Sequence, residues 1–102
     1  MSETVKPLNK NSILEFLKTH RIELKAFGVE RIGLFGSFAL GLEHQNSDID
    51  FLVDIDKPDL IKMAQIALFL ENQFGRKVDL TRRGKHLRAR FLQSIEPHII
   101  YA

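Results

Sequence analysis

The chain has 102 residues, no cysteine and a formal net charge of +2, with 44% hydrophobic and 27% charged residues. This composition excludes wholesale disorder, and the length predicts a single domain spanning residues 1–102. The lack of cysteine excludes disulfide bonds and thiolate zinc sites, and it is compatible with the cytoplasm. No apolar run approaches the roughly 20 residues of a transmembrane helix, and residues 1–10 lack the apolar segment of a signal peptide. We therefore expect a cytoplasmic protein that does not act at a membrane.

The first part of the chain is predicted to be helical up to Gly28. Ser12 and Glu15 have the spacing of a capping box, and apolar residues recur after them at helical spacing. A helix is therefore predicted from about Asn11. A shorter helix is predicted at residues 22–27, and Gly28 suits the left-handed conformation that ends many helices.

Strands and helices are predicted to alternate along the rest of the chain. Buried or alternating apolar residues predict three strands, at residues 29–35, 48–54 and 76–81. A short helical turn at 38–40, a helix from Pro58 to Phe74 and a helix at 85–94 lie between or after them, and the tail at 97–102 is predicted to be extended. This order predicts an α/β (α+β) fold: a small mixed sheet of three to four strands flanked by helices.

Two carboxylates, Asp48 and Asp50, lie two residues apart on the second predicted strand, so their side chains point to the same face. Carboxylates so placed repel each other unless a cation lies between them, and Mg²⁺ prefers such hard oxygen ligands. Asp79 would join them if the third strand neighbours the second. An isolated Asp-x-Asp is more often a turn or capping feature, so this pair alone does not establish a metal site.

The Gly36-Ser37 pair directly follows the first predicted strand. Gly36 would let the backbone approach a ligand closely, and the Ser37 hydroxyl and neighbouring amides could then hold phosphate oxygens. Taken alone, Gly-Ser is more often a simple turn. Combined with Gly41 and with the Ser47-Asp48-x-Asp50 motif at fixed spacing, however, the pattern arises by chance about once in ten million starting positions.

Residues 34–41 (LFGSFALG) and 46–53 (NSDIDFLV) resemble the signature of the DNA polymerase beta-like nucleotidyltransferase superfamily. They look most like the minimal nucleotidyltransferases, or MNT proteins, of prokaryotes, and the resemblance extends over nearly the whole chain. It implies a nucleotidyltransferase fold and a nucleoside triphosphate substrate. The residues expected to bind the nucleotide are Gly36, Ser37 and Ser47.

The resemblance also implies a catalytic metal site. Asp48 and Asp50 would ligate two Mg²⁺ ions, while Asp79 would complete the catalytic metal site and help to activate the acceptor hydroxyl. These three aspartates are therefore the expected catalytic residues and metal ligands.

MNT proteins are usually encoded beside a HEPN-domain partner, and the two form a toxin–antitoxin system. The resemblance therefore implies an antitoxin that transfers AMP from ATP to a hydroxyl, expected to belong to a tyrosine, on a HEPN toxin. The family often has an arginine where this chain has Leu40. Arg82 or Arg83 is a hypothetical replacement for it.

Two other functions stay open at this point. The chain would be a non-catalytic antitoxin if it neutralised its partner by binding alone. It would alternatively be a nucleotidyltransferase for a small molecule such as an aminoglycoside, although known enzymes of that kind are larger. Binding of nucleic acid is not favoured, because the basic run at residues 76–90 is typical of a solvated helix face.

Overall fold

A computed structural model describes residues 7–57 and 59–102 of the chain. Its helices are α1 (Lys10–Thr19), α2 (Arg21–Ala26), α3 (Gly36–Leu40), α4 (Leu60–Phe74) and α5 (Ala89–Ile95), with a 3₁₀ turn at Glu96–His98. Its strands are β1 (Val29–Phe35), β2 (Ile49–Ile55), β3 (Val78–Arg82) and β4 (Ile100–Tyr101). None of the helices in the described part of the chain has the length and apolarity of a membrane span.

The four strands form one mixed sheet in the order β3-β2-β1-β4. Strand β1 runs antiparallel to both β2 and β4, whereas β2 and β3 are parallel. The predicted mixed sheet of three to four strands flanked by helices is therefore confirmed. The register places Phe35 opposite Asp50 and Asp50 opposite Asp79, so the end of β1 meets the beginnings of β2 and β3 at one edge of the sheet.

The hydrophobic core lies between one face of the sheet and the long helices. Alternate residues of β2 are completely buried on this face, and side chains of α1 and α4 cover them. The fully buried members are Ile13, Ile49, Phe51, Val53, Ile66 and Leu70. Burying such a side chain contributes about 1.5–3 kcal/mol. Strand β2 therefore gives a rigid base to the polar residues at its beginning.

Aromatic and ionic contacts on the opposite face of the sheet attach the C-terminal segment that contains strand β4. The guanidinium of Arg31 lies 4.3 Å from the centroid of the Tyr101 ring, and Arg83 donates a hydrogen bond to the Tyr101 hydroxyl. Arg83 also pairs with Asp54 at 3.0 Å and with Glu96 at 3.2 Å. Tyr101 thus packs within the fold, and the tail is extended only after the 3₁₀ turn.

The start of α1 differs from the prediction. Asn9, and not Ser12, is the N-cap: its side chain accepts a hydrogen bond from Ser12 N, and the Ser12 hydroxyl accepts one from Asn9 N, both at 3.0 Å. The capping box predicted from Ser12 to Glu15 is therefore wrong. Asparagine is as strong an N-cap as serine, and its position moves the start of the helix to Lys10.

Three other element boundaries are shifted. Asp48 lies just before β2, and β3 begins at Val78, two residues later than predicted. The last helix begins at Ala89, because Gly84 and Leu87 form a hydrogen-bonded turn that precedes it. The predicted helix start at Pro58 lies outside the described residues. The side chain of Asp59 caps α4 by accepting a hydrogen bond from Lys62 N at 2.8 Å.

Candidate active site

The predicted site residues meet at the sheet edge where β1 ends. Gly36 follows β1 directly and begins α3, while Asp50 is the second residue of β2. The register pairs Asp50 with Asp79 on the parallel strand β3. The condition for Asp79 to join the pair, that the third strand neighbours the second, is therefore met, and the three chain segments that carry the predicted residues converge here.

Gly36 lies directly against the Asp50 carboxylate. Its φ angle is +75°, and a Cβ atom added there would overlap Oδ2 of Asp50 and lie 3.0 Å from Cγ. Any other residue would be strained in this conformation and would displace the carboxylate. The glycine thus brings the backbone of the turn, and the neighbouring Ser37, next to an acidic side chain.

The turn itself is a short helix, α3, which begins two residues earlier than the helical turn predicted at residues 38–40. Gly41 ends it with a φ of 72°, and Leu42 N donates to the Ser37 carbonyl at 2.9 Å. Phe38 is 1% exposed and fixes the turn to the core. Ser37 remains partly accessible beside the carboxylates.

The negative charges of two neighbouring carboxylates act on Asp50. The pKa of Asp50 is raised to about 6, first because burial removes water from the carboxylate, and then because Asp79 and Asp48 are negatively charged neighbours. Asp48 is partly buried and Asp79 is exposed. A cation at this edge would relieve the repulsion.

The donor chemistry fits magnesium, although the side chains alone form no closed ligand set. Within residues 7–57 and 59–102, no group of three or more His, Asp or Glu side chains is arranged to hold a metal ion by itself. Magnesium is usually held by one or two carboxylates, with waters and substrate phosphates completing its coordination. An open group of carboxylates beside a turn that is predicted to bind phosphate meets that description.

Ser47 has a position that the sequence did not indicate. It is only 7% exposed, and its hydroxyl accepts a hydrogen bond from His44 N at 2.9 Å. Its carbonyl accepts a hydrogen bond from Nη1 of Arg76 at 2.8 Å. The side chain therefore shapes the loop that leads into Asp48, and its contact with the nucleotide stays a prediction.

Arg76 is the polar residue near the site that sequence reasoning missed. The basic run at residues 76–90 was expected to be a solvated helix face, which is wrong for Arg76, because its guanidinium binds main-chain carbonyls of the loop before β2. The only local signal was its position directly after Gly75, in the connection between α4 and β3.

The hypothetical arginine replacements for Leu40 lie elsewhere. Leu40 is 47% exposed at the end of α3. Arg83 contacts Asp54, Glu96 and the Tyr101 hydroxyl, and its phosphate contact stays a prediction. Arg82 on β3 lies opposite Val53 on β2. Val53 is three residues along β2 from Asp50, which corresponds to roughly 10 Å.

Comparison with known proteins identifies the family. The family model described as a nucleotidyltransferase domain matches residues 11–101. The chain is 33% identical over 96 residues to the protein adenylyltransferase MntA of Thermococcus cleftensis, and the match covers 92% of this chain and 96% of that protein.

Solved structures show the same architecture. A toxin–antitoxin crystal structure with AMP-PNP matches with a TM-score of 0.65 and 27% identity over 92% of this chain and 72% of that chain. A minimal nucleotidyltransferase matches with a TM-score of 0.78 and 24% identity, covering 94% of this chain and 98% of that one. An MNT antitoxin in complex with the tri-AMPylated HEPN toxin of Shewanella oneidensis matches with a TM-score of 0.61 and 21% identity, covering 86% and 70%. The last two matches, at 24% and 21% identity, show a common fold alone.

The turn at Gly36, the carboxylates at the adjoining strand edge and the matches over almost the whole chain agree with one another. They confirm the resemblance drawn from the sequence. This chain belongs to the nucleotidyltransferase family and is a nucleotidyltransferase enzyme of its minimal, MntA-like branch.

Proposed function

We propose that this chain is the antitoxin of a toxin–antitoxin pair and transfers AMP from ATP to a hydroxyl, expected to be that of a tyrosine, on a HEPN-domain toxin. The observation that carries the proposal is the contact between the Gly36 backbone and the Asp50 carboxylate, with Asp48 and Asp79 beside it. The adenylyltransferase name of the Thermococcus relative and the AMPylated toxin of the Shewanella complex support it.

The nucleotide would bind along the turn after β1. The Asp50 carboxylate fills the space where a Gly36 side chain would lie, so the phosphate oxygens would meet the turn at Ser37, whose hydroxyl can donate a hydrogen bond to them. The AMP-PNP complex of a similar protein supports a nucleoside triphosphate at this fold. ATP is therefore the proposed substrate.

The carboxylates would hold magnesium. Asp48 and Asp50 are the proposed ligands of two Mg²⁺ ions, and Asp79 is the proposed third ligand of the catalytic one. When bound, magnesium neutralises charge on the phosphates and lowers the pKa of the attacking hydroxyl. The elevated pKa of Asp50 supports this assignment, because a cation would favour its ionised form.

The proposed reaction is an in-line displacement at the α-phosphorus of ATP. The acceptor oxygen forms a bond to the α-phosphorus, and the bond from that phosphorus to the oxygen bridging to the β-phosphate breaks. Pyrophosphate leaves with the electron pair of the broken bond, and the acceptor proton passes to the Asp79 carboxylate. Asp79 is exposed at the sheet edge, where a hydroxyl on another protein can reach it.

The acceptor is proposed to be a protein, because Asp79 is exposed at the carboxylate edge. The proposed location is the cytoplasm, with which the lack of cysteine is compatible. We further propose that residues 1–102 act as one domain, since the predicted site residues all lie on a single sheet or on segments that adjoin its strands. A partner that supplies its own hydroxyl-bearing segment needs no acceptor-binding domain on this chain.

The test is transfer of label from ATP to the HEPN toxin in the presence of Mg²⁺. The Asp48→Asn/Asp50→Asn double variant should label the toxin at least about a hundredfold more slowly, whereas Asp56→Asn, an exposed acid beyond the other end of β2, should behave as wild type. Toxin neutralisation that persists in the double variant, with no labelling by wild type, would leave the binding-only antitoxin as the function.

A further inference from the structure

Arg76 lies in the short connection between α4 and β3. Its Nη1 donates hydrogen bonds to two main-chain carbonyls, that of Ser47 at 2.8 Å and that of His44 at 3.4 Å. Both carbonyls belong to the loop before β2, and Ser47 directly precedes Asp48. The guanidinium therefore closes the turn from which the first predicted metal ligand emerges.

The same guanidinium also contacts the phosphate-binding turn. Its Cζ lies 5.7 Å from the ring centroid of Phe38, within the range of a cation–π interaction. Phe38 is buried in α3, immediately after Ser37. Since Arg76 itself lies three residues before Asp79, one side chain joins all three segments that carry the predicted site residues.

Within residues 7–57 and 59–102, the other hydrogen bonds inside the loop that Arg76 holds are short-range. Ser47 N donates to the His44 carbonyl at 3.0 Å, and the Ser47 hydroxyl accepts from His44 N at 2.9 Å. These bonds form the turn. After Asp48, Ile49 N donates to the Lys77 carbonyl at 3.0 Å and ties the start of β2 to the residue before β3. The two bonds from Arg76 attach the chain on the other side of Asp48, at His44 and Ser47.

We propose that Arg76 is a positioning residue of the nucleotidyltransferase site. It orients the peptide plane between Ser47 and Asp48 so that the Asp48 carboxylate faces Asp50 and Asp79. This inference rests on the proposed function for the metal role of Asp48. It assigns to Arg76 an indirect effect on magnesium binding and none on the nucleotide itself.

Lysine cannot fully reproduce these contacts. The planar guanidinium presents several fixed N–H donors together with a flat face for an aromatic ring, whereas an ammonium is a compact point charge. Arg76→Lys should therefore retain part of the effect, and Arg76→Met should lose it. Arg21→Met is a matched control, because Arg21 is exposed on α2 and lines a cavity beside Val29, at the opposite end of β1 from Gly36.

The first measurement is binding of Mn²⁺, as a probe for Mg²⁺, by electron paramagnetic resonance with saturating AMP-PNP. Arg76→Met should weaken Mn²⁺ binding by about tenfold or more, the usual effect of losing a residue that orients a metal ligand. Arg76→Lys should be intermediate and Arg21→Met unchanged. In the transfer assay, kcat should fall in Arg76→Met while the KM for ATP changes less than about twofold.

The second measurement is hydrogen–deuterium exchange of the metal-free protein. Faster exchange in the loop at residues 44–48 of Arg76→Met, with β2 protected as in wild type, would support the positioning role. Unchanged loop exchange or unchanged Mn²⁺ affinity would overturn it. If Arg76→Met does not fold, Arg76→Lys decides by the same two criteria. Wild type that neither binds Mn²⁺ nor transfers label would overturn the proposed function and the metal role, and the exchange data would still show whether Arg76 holds the loop.

Discussion

Gly36 and Asp50 are in such close contact that a Cβ atom on the glycine would overlap the aspartate carboxylate. The hypothetical atom would lie 3.0 Å from Cγ and 3.2 Å from Cβ of Asp50. The turn that is proposed to receive the triphosphate and the carboxylate that is proposed to hold magnesium are thus fitted to each other. A change at the glycine is therefore also a change at the carboxylate.

Gly36→Ala should lower AMP transfer by at least about a hundredfold, because the methyl group displaces Asp50. The matched control is Gly41→Ala. Gly41 has a similar φ of 72°, but an added Cβ would meet nothing within 4 Å. Both variants should lose about 1–2 kcal/mol of unfolding free energy from the left-handed conformation, measured by denaturant titration, and Gly36→Ala should lose more because its methyl group also overlaps Asp50. Equal loss of transfer in the two variants would attribute the effect to backbone strain instead.

Asp50→Asn should stabilise the metal-free protein at neutral pH. The pKa of Asp50 is raised from 3.8 to about 6 in the folded state, so ionising this group disfavours folding as pH rises through that interval. The gain in unfolding free energy should reach about 1–2 kcal/mol above pH 7, allowing for solvent screening, and should approach zero near pH 4. Thermal unfolding across this pH range tests it. A gain that does not depend on pH would contradict the electrostatic cause.

Added Mg²⁺ and AMP-PNP should reverse the order of stability of the same two proteins. Binding to the folded state raises the unfolding free energy of wild type, whereas Asp50→Asn should gain little because it lacks a proposed ligand. Thermal unfolding at pH 7.5 with and without the two additions makes this comparison. Equal stabilisation of both proteins would contradict the role of Asp50 as a magnesium ligand.

Arg83→Met should affect stability and not catalysis. The substitution removes contacts to Asp54, Glu96 and Tyr101 that attach the C-terminal segment to the sheet. Unfolding free energy should fall by about 1–2 kcal/mol, while kcat/KM should stay within about twofold at a temperature where the variant is folded. The comparison is Arg82→Met, which should change both quantities little. A large rise in the KM for ATP in Arg83→Met would support the phosphate-binding hypothesis.

Local spacing was sufficient to predict which residues meet at one edge of the sheet. Gly36, Ser37, Asp48 and Asp50 lie within one segment that runs from the end of β1 through α3 to the start of β2, so the chain itself keeps them close. The pairing of Asp79 with Asp50 needed one further condition, that β2 and β3 are neighbours, which the βαβ arrangement favours. The fold class followed from the same alternation of elements.

Contacts between distant residues were not predictable from the sequence. Arg76 reaches the carbonyl of a residue 29 positions earlier, and no local pattern distinguishes such an arginine from a solvated one. The hydrogen bond from Arg83 to Tyr101 likewise joins residues 18 positions apart. The N-cap of α1 was misplaced because Asn9 and Ser12 are both good capping residues, and only their mutual hydrogen bonds identify which one precedes the helix.

The position of the transferred phosphorus tests the central claim most directly. The HEPN toxin is incubated with this protein, Mg²⁺ and ATP labelled either at the α- or at the γ-phosphate, and the protein-bound label and released pyrophosphate are measured. AMP transfer predicts label on the toxin from α-labelled ATP alone, with one pyrophosphate released for each AMP attached. Label from γ-labelled ATP, or neutralised toxin that carries no label from either, would contradict adenylyl transfer as the function of this site.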